Sequence, residues 1–170
     1  WFCGECEALG LDLRIDAMGN VFARRAGTDP DAAAVLTGSH IDSVGGKFDG
    51  SLGVIGALEV VKTLEDRDRS TDRPVEIVLW TNEERSRFAP AMLASGVWAG
   101  NYDLEWAYAR EDDEGRTFGA ELDRIGYKGE VPAEPTEDYH AFLELHTEQG
   151  PSLEATGSDV GVVTANTGWN

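Results

Sequence analysis

Lysine, cysteine and long apolar runs are all scarce in this sequence, and each shortage argues against a class of protein. Only three of the 14 basic residues are lysine, and 32 acidic residues bring the net charge to −18. Such a surface repels phosphate backbones and anionic membranes, because binding them depends on clustered Lys and Arg. Nucleic acid and membranes are therefore poor candidate partners. An acidic, lysine-poor surface is typical of proteins that work in high salt, and also of ordinary acidic enzymes.

No apolar stretch approaches the ~20 residues that a membrane span needs. Residues 1–20 also lack the basic start, apolar centre and small-residue cleavage site of a secretory signal. We therefore expect a soluble, cytoplasmic protein. The chain opens in a helical pattern at Trp1 and Phe2 without an initiator Met, so we expect further residues to precede it in the natural protein.

The only cysteines, Cys3 and Cys6, form a single CxxC pair. A structural zinc site needs four ligands, and the sequence holds no second CxxC. With Phe2, Leu9 and Leu11, the pair lies on a segment whose spacing predicts an amphipathic helix. We interpret both residues as reduced cysteines packed in the core of a cytoplasmic protein.

Strand and helix patterns alternate along the chain. Strands are predicted at residues 20–25, 34–39, 75–81 and 141–147, the second and fourth buried, with another strand beginning within 161–170. Helices are predicted at residues 52–64, 89–99 (with Pro90 in the first turn), 104–109 and 117–125, and the charged run 110–116 reads as a solvated face. This alternation predicts one α/β core with a mostly parallel central sheet flanked by helices.

Polar side chains follow three of the predicted strands. His40, Asp42 and Asp49 follow the strand predicted at 34–39, and Asn82, Glu83 and Glu84 follow that at 75–81. His146, Glu148 and Gln149 lie at and just beyond the end of the strand predicted at 141–147. In open α/β sheets, ligands bind where loops leave the carboxyl ends of the strands. Imidazole and carboxylate together suit zinc, manganese or cobalt. Each cluster alone is more often a solvated surface feature, but three clusters at one edge predict a metal site.

The residue types in these clusters suggest individual tasks. His40 would bind a metal ion as neutral imidazole, and Asp42 could accept the other ring N–H and fix the tautomer. The intervening glycines let the backbone turn sharply, so that Asp49 returns to the same place with a carboxylate able to bridge two ions. Neighbours on an extended chain face opposite ways, so one of Glu83 and Glu84 is expected to be a ligand and the other a base.

Four stretches of the chain resemble the metal-dependent N-carbamoyl-L-amino-acid hydrolases and their relatives β-ureidopropionase and allantoate amidohydrolase, a branch of the dinuclear zinc aminoacylases and carboxypeptidases. They are GSHIDSV, GGKFDGSLGVIGALEV, TNEERSRFAPAMLASGVWAG and ELHTEQGPSLE. The resemblance implies that residues 1–160 are part of a zinc-exopeptidase-like catalytic domain. It further implies that residues 161–170 begin a lid or dimerisation domain, and that the full-length protein is a homodimer.

The resemblance also implies roles for individual residues. Two divalent ions, Zn, Mn or Co, would be bound by His40 and His146 on one ion, Glu84 on the other, and Asp49 bridging both. Glu83 would be the general base, Asp42 the partner of His40, and Gln149 a contact to the substrate. The implied reaction is hydrolysis of the carbamoyl C–N bond of N-carbamoyl-L-amino acids or related ureido compounds.

The sequence departs from the family pattern near these ligands. Two residues fewer separate His40 from Asp49 than is usual in the family, and Arg85 stands where the family commonly has Gly. The arginine would either pair with the ligating carboxylates in place of metal or point away, and a positive φ there would strain it. A further metal-binding His that the family places late in its chain lies outside these residues.

Two other readings stay open. One is an N-acyl-amino-acid deacylase or dipeptidase of the wider group, although HTEQG favours the carbamoyl hydrolases, because His146 stands where the peptidases commonly have an acidic ligand. The other is a truncated, catalytically inactive homologue that binds one metal ion or none.

Overall fold

The computed structural model describes residues 1–44 and 46–165 of the chain. Its strands are β1 (Asp12–Ile15), β2 (Val21–Arg25), β3 (Val35–His40), β4 (Val75–Trp80) and β5 (Ala141–Leu143). Its helices are α1 (Phe2–Ala8), α2 (Ser51–Asp66), α3 (Leu93–Trp98), α4 (Leu104–Tyr108), α5 (Phe118–Ile125) and α6 (Ser152–Thr156). None of these helices is long and apolar enough to cross a membrane.

The strands form one sheet in the order β1-β2-β4-β3-β5. Strands β4, β3 and β5 run parallel to one another, whereas β2 is antiparallel to both β1 and β4. The predicted α/β architecture is confirmed. The antiparallel side comes from a hairpin of β1 with β2, and β1 is a strand that the sequence analysis did not predict. The parallel side, where three strands share one direction, carries the candidate site.

Helix α2 connects the parallel strands β3 and β4 and covers one face of the sheet. Its buried residues Val54, Ala57, Leu58 and Val61 recur at helical spacing and pack in one cluster with Ile77 of β4. Helix α1 joins the same cluster through Phe2 and Cys6. Both cysteines are free, with Cys6 buried and Cys3 half-buried, as the sequence predicted. This core fixes the start of α2 against the end of β3.

Two predictions between residues 89 and 116 need correction. The helix predicted at 89–99 begins only at Leu93, because Met92 has a left-handed φ of 54° and cannot continue a right-handed helix. Pro90 therefore precedes the helix. The charged run 110–116 is mostly exposed, but the side chain of Asp112 is only 7% exposed and pairs with Arg87 at 2.8 Å.

The strand predicted at 141–147 is neither buried nor complete. Only β5 forms, at the edge of the sheet, where Phe142 is 48% and Leu143 62% exposed. One edge of β5 pairs with β3, and no strand of the described residues pairs with its other edge. Residues 161–165 have no regular structure, and the rest of the predicted strand lies outside the described residues. The boundary at residue 161 between a catalytic domain and a lid or dimerisation domain stays a prediction.

Candidate metal centre

The register of the sheet explains why distant histidines meet. In the parallel pair β3 and β5, Thr37 lies opposite Leu143. Three residues beyond each of these positions come His40 and His146, so the two side chains leave the sheet at the same level. Strand β4 ends level with β3, because His40 pairs with Trp80, and this brings the loop after β4 to the same edge.

Three side chains converge at this edge with the spacing of metal ligands. His40 Nε2 lies 3.4 Å from His146 Nε2, and His146 Nε2 lies 3.6 Å from Asp49 Oδ1. Ligand atoms bound tetrahedrally at ~2.0–2.2 Å from a zinc ion are themselves ~3.3–3.6 Å apart. The donor atoms of His40, Asp49 and His146 therefore fit one ion, and His40 and Asp49 are both buried.

The loop after β4 supplies a second group of donors. Ligand atoms of His40, Glu83 and Glu84 also lie within 4.8 Å of one another. Glu83 Oε2 is 3.6 Å from His40 Nε2, and the side chain of Glu84 contacts that of Asp49. The structure thus brings together the four residues assigned to the metals and the residue assigned as the base.

Asp42 joins the ends of β3 and β4. Its carboxylate accepts hydrogen bonds from the backbone N–H groups of Glu84, at 2.9 Å, and Glu83, at 3.3 Å. Its backbone oxygen accepts the Nδ1–H of His40 at 2.7 Å, whereas its carboxylate is 3.6 Å from that nitrogen. The expected partnership with His40 therefore runs mainly through the backbone, and the carboxylate holds the glutamate loop.

The ring hydrogen bonds direct both imidazoles toward the same space. His146 Nδ1 donates to the backbone oxygen of Thr147 at 2.9 Å, as His40 Nδ1 does to Asp42. With each Nδ1 protonated, the two neutral rings turn Nε2 lone pairs toward each other, and a proton or a cation must lie between them. Burial lowers the pKa of His40, but the hydrogen bonds to Asp42 and the charge of Glu83 outweigh it and raise the pKa to about 9.

The carboxylates at this edge are crowded. Burial, a hydrogen bond with Asp49 and the charges of Asp49 and Glu83 together raise the pKa of Glu84 to about 7. Burial likewise raises the pKa of Glu83, although the nearby His40 opposes the shift. A cation bound among these groups would relieve this repulsion, which fits a site for divalent ions.

Other residues that follow the strands have different positions. Gln149 donates from Nε2 to Asp49 Oδ1 at 2.7 Å, so it touches the centre. Asn82 is turned away, with its amide bonded to the backbone of Phe88. Glu148 accepts from the backbone N–H groups of Ser152 and Leu153 at the start of α6, so it holds that turn.

Three residues at this edge, Ser39, Ser43 and Glu144, were missed by the sequence analysis. Ser43 Oγ lies 2.9 Å from Asp49 Oδ2, and Ser39 Oγ donates to Glu144 Oε1 at 2.5 Å. Glu144 stands two residues before His146, so the alternation of an extended chain could have indicated it. Ser43 lies inside the glycine loop of the first motif and carried no comparable signal.

The two departures from the family pattern have structural outcomes. The short loop after His40 still returns Asp49 to the centre, as the distances above show. Arg85 has a φ of 52° and an exposed side chain, and it forms no ion pair with any described residue. Of the two alternatives, the arginine therefore points away and does not replace a metal ion.

A family model described as peptidase family M28 matches residues 20–145. The chain belongs to this family. The match includes His40, Asp49, Glu83 and Glu84 and ends one residue before His146. The family model therefore covers the candidate site residues that end or follow strands β3 and β4, and it does not cover the histidine that follows β5.

Relatives with similar sequences extend the comparison beyond that match. An N-carbamoyl-L-amino-acid amidohydrolase of Rhizobium meliloti is 53% identical over 165 residues, covering 96% of the M28 chain and 39% of the relative. A ureidoglycolate hydrolase of Oryza sativa subsp. japonica is 40% identical, covering 95% of this chain and 35% of the relative. The M28 chain thus spans less than half the length of these relatives.

A solved structure confirms the fold. A hydantoinase/carbamoylase family amidase from Burkholderia multivorans superposes with a TM-score of 0.88 at 53% sequence identity, covering 92% of this chain and 38% of that one. The five-stranded sheet and its flanking helices are therefore those of this group of amidases.

Proposed function

We propose that this M28 chain is part of an amidohydrolase that hydrolyses the carbamoyl C–N bond of N-carbamoyl-L-amino acids or a related ureido compound. The two relatives are named for acting on such compounds, one on N-carbamoyl-L-amino acids and one on ureidoglycolate. The observation that carries the proposal is the convergence of His40, Asp49 and His146 at donor separations of 3.4 and 3.6 Å.

In the proposed centre, His40 and His146 would hold one ion, Glu84 would hold the other, and Asp49 would contribute to both. The contact between Glu84 and Asp49 supports this division. Bound there, two ions of Zn, Mn or Co would lower the pKa of a water molecule and polarise the ureido carbonyl.

The remaining residues transfer protons, hold other side chains in place or contact the substrate. Glu83, 3.6 Å from His40 Nε2, takes a proton from the attacking water and delivers it to the leaving nitrogen. The amino acid leaves as the amine, and the carbamate that remains decomposes to CO₂ and ammonia. Asp42 holds both His40 and the glutamate loop in place. Gln149 contacts the substrate, which requires it to exchange its bond with Asp49 for one with the substrate.

The experiment that tests the proposal combines metal content with substrate choice. After dialysis against Zn²⁺ or Mn²⁺, the full-length protein should retain two ions, and it should release ammonia from N-carbamoyl amino acids. One retained ion without turnover would favour an inactive homologue that uses His40, Asp49 and His146 alone. Turnover of N-acyl amino acids or dipeptides, with none of ureido compounds, would favour the deacylase or dipeptidase reading.

Three further statements rest on the sequence alone and stay predictions. They are the lid or dimerisation domain beginning at residue 161, the homodimer, and the cytoplasmic location. A homodimer is tested by sedimentation of the full-length protein.

A further inference from the structure

The loop that returns Asp49 to the centre is closed by one side chain. Ser43 Oγ lies 2.7 Å from the backbone oxygen of Gly46 and accepts the N–H of the same residue at 3.1 Å. It also lies 2.9 Å from Asp49 Oδ2. A single hydroxyl therefore connects the start of the loop, Gly46 and the carboxylate at its end.

The hydroxyl has one hydrogen and two acceptors within reach. When it donates to Asp49 Oδ2, the Gly46 N–H still bonds to its oxygen, so the loop stays closed in that state. The Asp49 end of this bond is shielded from water, because the carboxylate side chain is 1% exposed, whereas Ser43 itself is exposed. A bond with a buried charged end is stronger than one between neutral exposed groups.

The two oxygens of Asp49 have different partners. Oδ1 accepts from Gln149 and faces His146 at 3.6 Å, on the side where a cation would lie. A cation on Oδ1 competes with the Gln149 hydrogen bond. Oδ2 accepts from Ser43 through one of its two lone pairs, so this bond occupies neither Oδ1 nor the other lone pair of Oδ2, which the second ion of the proposed centre would use. Ser43 can therefore hold the carboxylate in its orientation both before and after a cation binds.

We propose that Ser43 is a positioning residue that orients the carboxylate of Asp49 for cation binding. The inference rests on the metal centre proposed above and adds to it the element that fixes its shared ligand. In this loop, the hydroxyl supplies the connection that aims Asp49 at His40 and His146.

The experiment measures Zn²⁺ affinity of the metal-depleted chain by competition with a chromophoric chelator. Ser43→Ala should weaken Zn²⁺ binding by about tenfold or more, the effect typical of losing a partner that orients a ligand. Ser43→Thr keeps the hydroxyl at an exposed position and should restore the affinity. The absorption spectrum of bound Co²⁺, which reports ligand geometry, should change in Ser43→Ala and not in Ser43→Thr.

Ser51→Ala is the matched control. Ser51 Oγ donates to the backbone oxygen of Lys47 at 2.8 Å, so its loss also removes a hydroxyl contact to the same loop. Both alanine variants should lower the melting temperature slightly, but only Ser43→Ala should weaken Zn²⁺ binding.

The outcomes separate this inference from the proposed function. Equal Zn²⁺ affinity in Ser43→Ala and the unaltered chain, or equal weakening in Ser43→Ala and Ser51→Ala, would overturn the positioning role and leave the metal centre in place. Absence of Zn²⁺ and Co²⁺ binding by the unaltered chain would overturn both.

Discussion

Glu83 and Glu84 are neighbours in the chain with different surroundings. The side chain of Glu84 contacts that of Asp49, whereas Glu83 Oε2 lies 3.6 Å from His40 Nε2. From this difference we propose Glu84 as the metal ligand and Glu83 as the base. Both glutamates are fixed by the carboxylate of Asp42, so their roles depend on the same anchor.

Glu83→Gln tests the base. The amide keeps the size of the side chain but cannot take a proton, so turnover of N-carbamoyl amino acids should fall by about 100-fold or more. Ammonia release measures the turnover, and metal analysis of the same sample should show no loss of ions. Unchanged turnover would remove Glu83 from the mechanism, and loss of an ion would make it a ligand.

Arg85 occupies a backbone conformation that favours glycine. Its φ is 52°, and its side chain forms no ion pair with the described residues that would offset the strain. Relief of this strain should stabilise the fold by ~1–2 kcal/mol, whereas the larger conformational entropy of glycine in the unfolded chain costs ~0.4–1 kcal/mol. Arg85→Gly should therefore raise the free energy of unfolding by a net amount of up to about 1 kcal/mol. Urea unfolding monitored by circular dichroism measures the change.

Arg67→Gly provides the control for this prediction. Arg67 is also exposed, but it ends α2 with a φ of −105°, which an arginine adopts without strain. Glycine there should lower stability or leave it unchanged, because only the entropy of the unfolded chain differs. A gain at residue 67 as large as that at residue 85 would refute the strain argument.

At the scale of elements, the start of α2 approaches β3 closely enough to require glycine. A Cβ on Gly53 would lie 2.4 Å from the backbone oxygen of Leu145 and 2.7 Å from Ser39 Cβ. Backbone cannot yield as a side chain can. Gly53→Ala should therefore push α2 away from the strand ends and destabilise the fold by about 1–3 kcal/mol.

Gly56, one turn later, separates this clash from helix propensity. A Cβ there would meet only the flexible end of Leu145, at 3.2 Å. Gly56→Ala should be neutral or stabilise by up to about 1 kcal/mol, because alanine is the better helix former. Thermal unfolding of both variants measures the contrast, and equal effects at residues 53 and 56 would show that close packing does not govern this helix.

The sequence predicted those elements whose hydrophobic pattern is internal to them. Helix α2 and strands β2, β3 and β4 carry their own periodicity, and their bounds agree with the prediction to within two residues. β1 was missed because its four residues DLRI make too short a run to show a pattern by themselves, and its place is fixed by pairing with β2. The apolar content of 141–147 predicted burial, but burial depends on neighbours that a single segment does not specify.

In the candidate site, the identity of the main residues was predictable, whereas the orientation of their side chains was not. Strand ends bearing His and carboxylate predicted His40, Asp49 and His146, because parallel strands bring such residues to one edge. The orientation of each side chain was not predictable. The bond from His40 to the backbone of Asp42 and the bond from Ser43 to Asp49 depend on loop geometry, which the residue types alone do not determine.

At the scale of the whole chain, β5 forms an edge of the sheet that no other strand of the described residues pairs with, and its side chains are apolar and exposed. Phe142 and Leu143 point to opposite faces of β5 and are 48% and 62% exposed, and Leu145 just beyond is 49% exposed. Edge strands of this kind pair with other chains unless charge, proline or a covering element prevents it. The net charge of −18 opposes such pairing through repulsion between chains.

The 170-residue chain should therefore self-associate, and more strongly as salt rises. Raising NaCl from about 0.05 M to about 0.5 M shortens the Debye length several-fold, which screens the repulsion and leaves the apolar attraction. Leu143→Lys should raise the dissociation constant about tenfold or more, since a charge on an edge strand blocks pairing. Val162→Lys is the control, because Val162 is 89% exposed, lies outside any strand and gives the same change in net charge. Sedimentation velocity across the salt series measures both effects, and equal weakening by the two lysines would show that net charge controls association and that the β5 edge does not.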